Sequence, residues 1–142
     1  EPYCLVYKEL VPPESLVKVP FIKYQTDASV ANIIETWCAE HFDEPPSVAM
    51  DVNSMSTCRH FVRAGLGWSI LTYMGLGSCK DKDIYVSPLR SKNGEYITRD
   101  TNMVYTKDSE NLIVVKTFIE YVRNYYKEHT VVDNSIFREY KA

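Results

Sequence analysis

The densest chemistry in the chain lies in the run DVNSMSTCRHFVRAGLGWSIL, residues 51–71. Asn53, Ser54, Met55, Ser56 and Thr57 set an amide, three hydroxyls and a thioether between an apolar strand-like run and a helical pattern. The first backbone N–H groups of a helix have no intrahelical acceptor and carry partial positive charge. A carboxylate or phosphate is drawn to such a place, and neighbouring hydroxyls and an amide add donors. The cluster therefore suits a small anion. Ser and Thr are also good helix caps, so a cap accounts for Ser54 without any ligand.

Other constellations are weaker. Cys38 and His41 are three apart on a helical stretch and could share a metal, but two ligands do not make a site. Cys58 and His60 suggest a thiolate near a helix start, yet the helical pattern turns Cys58 toward the core beside Phe61. Acidic pairs Asp81/Asp83 and Asp43/Glu44 fall in loop-like segments and read as solvated surface. Gly65-Leu66-Gly67 follows a helix and precedes a strand, the reverse of a phosphate-binding loop, and reads as a turn. No Ser-His-Asp order, P-loop or dinucleotide fingerprint is present. An enzyme is therefore not expected, and no cofactor or metal.

The elements that would position the 51–71 run follow from periodicity. Tyr3–Tyr7, Val19–Tyr24, Val48–Val52, Trp68–Leu71, Ile84–Val86 and Thr101–Thr106 read as strands. Val30, Ile33, Ile34, Trp37, Cys38 and His41 form one helical stripe, opened by Thr26-Asp27 as a cap. The helix after Asn53 places Met55, Cys58, Phe61 and Val62 on one side and stops at Gly65. Glu9–Val17 is a connector with room for one helical turn. Asp108-Ser109 is expected to cap a long helix, about residues 110–127, apolar on two stripes. The last stretch, VVDNSIFREYKA, reads as a loosely packed tail. Strands alternating with helices predict an α/β fold with a largely parallel sheet. In such a sheet ligands bind at the carboxyl ends of the strands. The turn Tyr24-Gln25-Thr26, the run Asn53-Ser54-Met55 and the strand end Leu71-Thr72 should then open on one edge.

Composition sets outer bounds. The 142 residues carry 45% apolar and 25% charged side chains and a net charge of −3. That balance describes a folded domain and disfavours a nucleic-acid surface on this segment. No apolar run is long enough to span a bilayer, so no membrane partner is expected. Cys4, Cys38, Cys58 and Cys79 are far apart and read as buried free thiols in a reducing cytoplasm. The chain opens Glu-Pro rather than Met, which suggests a piece of something longer.

With these elements in order, the run Val52–Leu71 resembles the ligand-sensing domain of LysR-type transcriptional regulators. That family closes the helix on Val-x-x-Gly-Leu-Gly before a strand, here Val62-Arg63-Ala64-Gly65-Leu66-Gly67. VPFIKY, IYVSPL and ITRDTNMVYTKDSENLIVVKTFIEYVR resemble further pieces of the family in the same order. The likeness extends to about residue 127. One departure is Thr72, where the family often has proline.

The resemblance implies a type 2 periplasmic-binding-protein-like α/β lobe, its mostly parallel sheet flanked by helices. A crossover strand and a long C-terminal helix would belong to a second, incomplete lobe. Residues 1–97 would form the distal effector-binding lobe with the first crossover strand. Residues 98–142 would carry the second crossover, the return helix and the tail. The implied ligand is a small-molecule effector, a carboxylate or other anion, and the implied assembly a homodimer or homotetramer. DNA would be bound only through an N-terminal winged helix-turn-helix outside this chain. The implied effector residues are Tyr24, Gln25, Thr26, Asn53, Ser54, Met55, Leu71 and Thr72. A solute-binding protein of a transport system with the same fold is the competing reading.

Overall fold

The structure, a computed structural model, describes residues 1–9, 12–77, 83–129 and 132–138. The run Tyr3–Tyr7 (β1) is buried along its whole length and lies between two strands, Ser69–Thr72 (β4) and Tyr85–Pro88 (β5). Both pairings are antiparallel, with Leu5 opposite Ile70 on one side and Ser87 on the other. Phe21–Tyr24 (β2) runs parallel to Val48–Val52 (β3), with Ile22 opposite Met50. The two sheets join where the Ile22 N–H donates to Trp68 O (2.9 Å) and the Trp68 N–H to Pro20 O (3.0 Å). A parallel bridge between Phe21 and Trp68 fixes the direction. The strand order is thus β3-β2-β4-β1-β5, and only β1 runs against the other four.

A continuous apolar strand is what burial on both faces demands, and YCLVY supplies it. Edge strand β3 is mostly exposed and alternates less strictly. Trp68, Ile70, Leu71, Val6, Ile22 and Leu16 form the centre of the core with no exposure.

Helix α1, Ala28–His41, starts where the Asp27 carboxylate accepts from the Ser29 and Val30 N–H groups, both at 3.0 Å. Its buried stripe is Val30, Ile34, Trp37 and Cys38. Trp37 ties it down: the indole N–H donates to Arg90 O at 2.8 Å, and an edge contact leads through Phe42 to Trp68. Helix α2, Met55–Arg63, is capped by Ser54 and buries Cys58 and Val62. It stops before Gly65, whose φ of 77° is the left-handed geometry that favours glycine.

Three expectations need correction. Residues 101–106 form no strand. A strand is a ladder, and this segment meets no ladder partner among the described residues. The long helix, α3, spans Ile113–Glu128 and is not capped by Asp108. Asp108 sits at φ −70°, ψ −37°, already inside a short 3-10 turn over Ser109–Asn111, whereas a capping residue must be extended. The C-terminal stretch is not loose between 132 and 138. There the Arg138 N–H donates to Val86 O (2.8 Å) and Ser87 Oγ donates to Arg138 O (2.7 Å). The Phe137 ring meets Tyr73 edge-on, so the apolar residues of that stretch find cover on β5 and its neighbours. Glu9–Val17 does hold its short turn, a 3-10 helix over Pro13–Lys18.

The chain's first residues run beside a later segment. The terminal ammonium donates to Arg99 O (2.9 Å), the Arg99 N–H to Glu1 O (2.8 Å), and Pro2 bridges Thr98 antiparallel.

Candidate functional site

Strands β2, β3 and β4 share a direction, so their carboxyl ends open on one edge of the sheet. Two hydrogen bonds bring the three turns together there. The Gln25 N–H donates to Val52 O at 2.9 Å, setting the turn after β2 against the residue before Asn53. Thr72 Oγ1 lies 3.7 Å from Met55 Sδ, setting the end of β4 against the start of α2.

Within that group the side chains divide. Gln25, Thr26 and Asn53 are exposed, and Ser54 and Met55 are half-buried. Ser54 Oγ accepts from the Thr57 N–H (3.1 Å) and shares a hydrogen bond with Thr57 Oγ1 (2.9 Å), which also reaches Asn53 Oδ1 at 3.5 Å. Tyr24 and Leu71 face the core instead. Tyr24 is a strut between strands, its hydroxyl donating to Ile70 O at 3.1 Å, and burial raises its phenol pKa. Thr72 is almost fully buried and accepts from the Gly75 N–H at 3.1 Å. Its hydroxyl organises the turn after β4, the position where a proline would remove a donor.

The two helix starts differ in charge. Two of the first N–H groups of α1 already meet the Asp27 carboxylate, an internal anion. The start of α2 holds only the neutral Ser54 hydroxyl and has no acid in its first turn. By helix geometry the Met55 and Ser56 N–H groups precede the first intrahelical bond, Cys58 N–H to Ser54 O. The N-terminal partial charge of α1 is thus met within the chain by a carboxylate, and that of α2 only by a hydroxyl. Asp27, which decides this, was read from the sequence only as a cap.

A cavity of about 400 Å³ flanks the same end of β2. It runs along α1 toward Pro45-Pro46, between Phe21, Ile34, Cys38 and Phe42, and takes Tyr24 and Thr26 from the expected set. It does not reach Asn53, Ser54, Met55 or Thr72. Sequence reasoning did not single out this cavity, although two of its lining residues, Ile34 and Cys38, belong to the α1 stripe read from periodicity.

The cysteines and His41 named as thiol or metal candidates are engaged within the fold where they are described. Cys58 has no exposure, its Sγ lies 3.7 Å from Ile22 O, and burial pushes its pKa up to about 11. Burial likewise raises Cys4 to about 12 and Cys38 to about 11. All three are free thiols; Cys79 lies outside the described residues. His41 turns its Nδ1 to Trp37 O at 2.9 Å. Among the described residues no group of three His, Cys, Asp or Glu could hold a metal ion.

Comparison with known proteins gives the class. The family model for the LysR substrate binding domain matches residues 3–127. The chain belongs to that family. Among relatives, it is 34% identical over 119 residues to the uncharacterized HTH-type transcriptional regulator YraN of Bacillus subtilis (strain 168), covering 84% of this chain and 40% of that protein. It is 27% identical over 105 residues to a second such regulator of the same organism, YkuM, covering 74% and 35%. The chain thus spans well under half the length of these relatives, which are transcriptional regulators and not transport proteins. The fold is shared with the regulatory domain of Synechocystis PCC6803 CcmR in complex with 2-PG, at TM-score 0.56 and 14% identity, covering 89% of this chain and 63% of that one. A putative LysR family regulator of Pseudomonas aeruginosa matches at TM-score 0.56 and 15% identity, covering 89% and 46%. The periplasmic-binding-protein-like α/β fold and the effector-binding-domain class follow from these matches.

Proposed function

We propose that this chain senses a small anionic effector, a carboxylate for preference, on behalf of a LysR-type transcriptional regulator that acts in the cytoplasm. The floor of the effector cleft is the edge where the turns after β2, β3 and β4 adjoin. Gln25, Thr26, Asn53, Ser54 and Met55 present side chains there, while Tyr24, Leu71 and Thr72 support them from behind. The observation that carries this reading is the start of α2: first-turn donors ahead of the first intrahelical bond, no acid in that turn, and contact with the end of β4. The 2-PG found in the CcmR regulatory domain supports a ligand-binding use of the fold.

Residues 1–97 then form one lobe, and α3 belongs to a second. Two features support the division: Glu1-Pro2 and Thr98-Arg99 lie side by side, as two crossings between lobes would. In addition, α3 leaves Ile113, Val114, Phe118 and Tyr121 exposed, a face that a second lobe or another subunit would cover. An effector that binds the closed arrangement of lobes better than the open one shifts their populations, and a dimer or tetramer relays the change to DNA-binding domains outside this chain. No helix among the described residues is long and apolar enough to cross a membrane.

The test is a titration of the chain with small carboxylates and inorganic phosphate, followed by backbone amide resonances. Shifts centred on residues 53–57 support the reading. Shifts confined to the α1 cavity, or none, would overturn it.

A further inference from the structure

Arg59 lies one turn into α2 and is half-buried. Its Nη1 donates to Leu76 O at 2.9 Å and reaches Gly75 O at 3.5 Å. Its Nε is shielded from solvent and meets no acceptor among the described residues. A long cationic side chain normally carries its head out to water, so a guanidinium held inward with one donor unanswered is being kept there by its other contacts. The backbone beside it is shaped to receive it. Gly77 sits at φ 57°, and a Cβ at that position would strike Arg59 Nη1.

The same turn is shaped by a second side chain from α2. A Cβ at Gly75 would run into Met55 Sδ. Met55 Sδ in turn touches Thr72 Oγ1, which accepts from the Gly75 N–H. The contacts close a ring: the start of α2, the end of β4, the 3-10 turn Met74–Leu76, and back to α2 through Arg59.

We propose that Arg59 is a positioning residue for the effector cleft, clamping the Met74–Leu76 turn to α2. The clamp holds the Ser54-Met55 helix start and the Thr72 strand end at one separation. This rests on the reading that those two segments floor the cleft. Arg59 does not touch the effector; it preserves the spacing of groups that do. Lysine can still donate to Leu76 O, whereas leucine fills the space and donates nothing.

The test compares wild-type chain with R59K and R59L, using R59Q should the leucine variant not fold. Amide hydrogen exchange is read at Gly75 and Leu76 against core amides of β1. R59L should speed exchange in the turn by about tenfold or more while the core amides hold, and R59K should stay near wild type. Titration with inorganic phosphate and benzoate should show affinity about tenfold weaker in R59L and within about threefold of wild type in R59K. Unchanged exchange in R59L, or equal loss in the lysine and leucine variants, would overturn the clamp. If wild type answers neither probe at residues 53–57, the cleft reading fails, and the exchange comparison by itself still decides the clamp.

Discussion

Helices α2 and α3 are both amphipathic, yet the chain treats them differently. The nine residues of α2 bury Cys58 and Val62 completely and lay Met55 and Arg59 against the turn after β4. The sixteen residues of α3 bury Ile119 alone, while Ile113 is 80% exposed and Val114 77%. One link from α3 to the segment before it is an exposed bond from Arg123 to the Tyr105 hydroxyl at 3.0 Å. Amphipathic periodicity marks both helices, but tertiary burial covers more of α2 than of α3, and burial supplies most helical stability in proteins. Among the described residues the buried core lies in the five-stranded body, while α3 leaves most of its apolar residues exposed.

The largest effect should come from the body. Trp68→Ala removes a side chain with no exposure, which packs on Phe21 and Phe42 and donates to Val19 O. Such truncations cost about 3–5 kcal/mol, so the thermal transition should fall steeply or vanish. A variant as stable as wild type would break the distinction between body and arm.

Next comes the start of α2. Ser54→Ala loses the bond to the Thr57 N–H, at about 1 kcal/mol. If the cleft reading holds, effector response in the intact regulator should also weaken by about tenfold, or about 1.4 kcal/mol of binding. Lost stability with unchanged affinity would reduce Ser54 to a cap.

A base-limb effect is absent near neutral pH, where the thiols are protonated in both states, and grows only as the pH rises. Burial raises the pKa of Cys4, Cys38 and Cys58 above the ordinary thiol value of 9.0, to about 12, 11 and 11. The neutral thiol is favoured in the folded state, so the unfolded chain loses its protons first as pH rises. Thiol-linked stability is fully present below about pH 9 and is lost between about pH 9 and 12. Replacing Cys58 by Ser should flatten part of that decline in chemical denaturation at pH 8 to 11.

The smallest effect should be on α3. Phe118→Ser should change stability by no more than the about 0.5 kcal/mol typical of surface changes. It should nevertheless reduce self-association in sedimentation velocity, because exposed apolar faces are where copies or partners meet. A large loss of stability would show that α3 is part of the body after all.

What could be read from the sequence follows the same division. Tyr3–Tyr7 and Val48–Val52 occur at the expected residues, and Asp27 and Ser54 cap the expected helices, because those signals are local. Residues 101–106 had the β-branched and aromatic composition of a strand but no ladder to join. The tail failed in the opposite direction: its periodicity was weak, yet β5 offered an edge that composition does not reveal. In the candidate site the polar turns were legible. The inward turn of Tyr24 and Leu71 and the Met55–Thr72–Gly75–Arg59 ring were not, because each depends on residues far apart in the chain.

The docked segment 132–138 has a practical consequence for anyone choosing where to cut this protein. Edge strands present unpaired backbone groups and invite association between chains, and β5 is shielded at Val86 and Ser87 by Arg138. A truncation placed neatly after α3 would look conservative on helix boundaries. It would uncover that strand and free Tyr73 from Asp133 and Phe137, one residue beyond the end of β4. Shortened versions should therefore be judged first by their solubility and light scattering, before any failure to bind is blamed on the cleft.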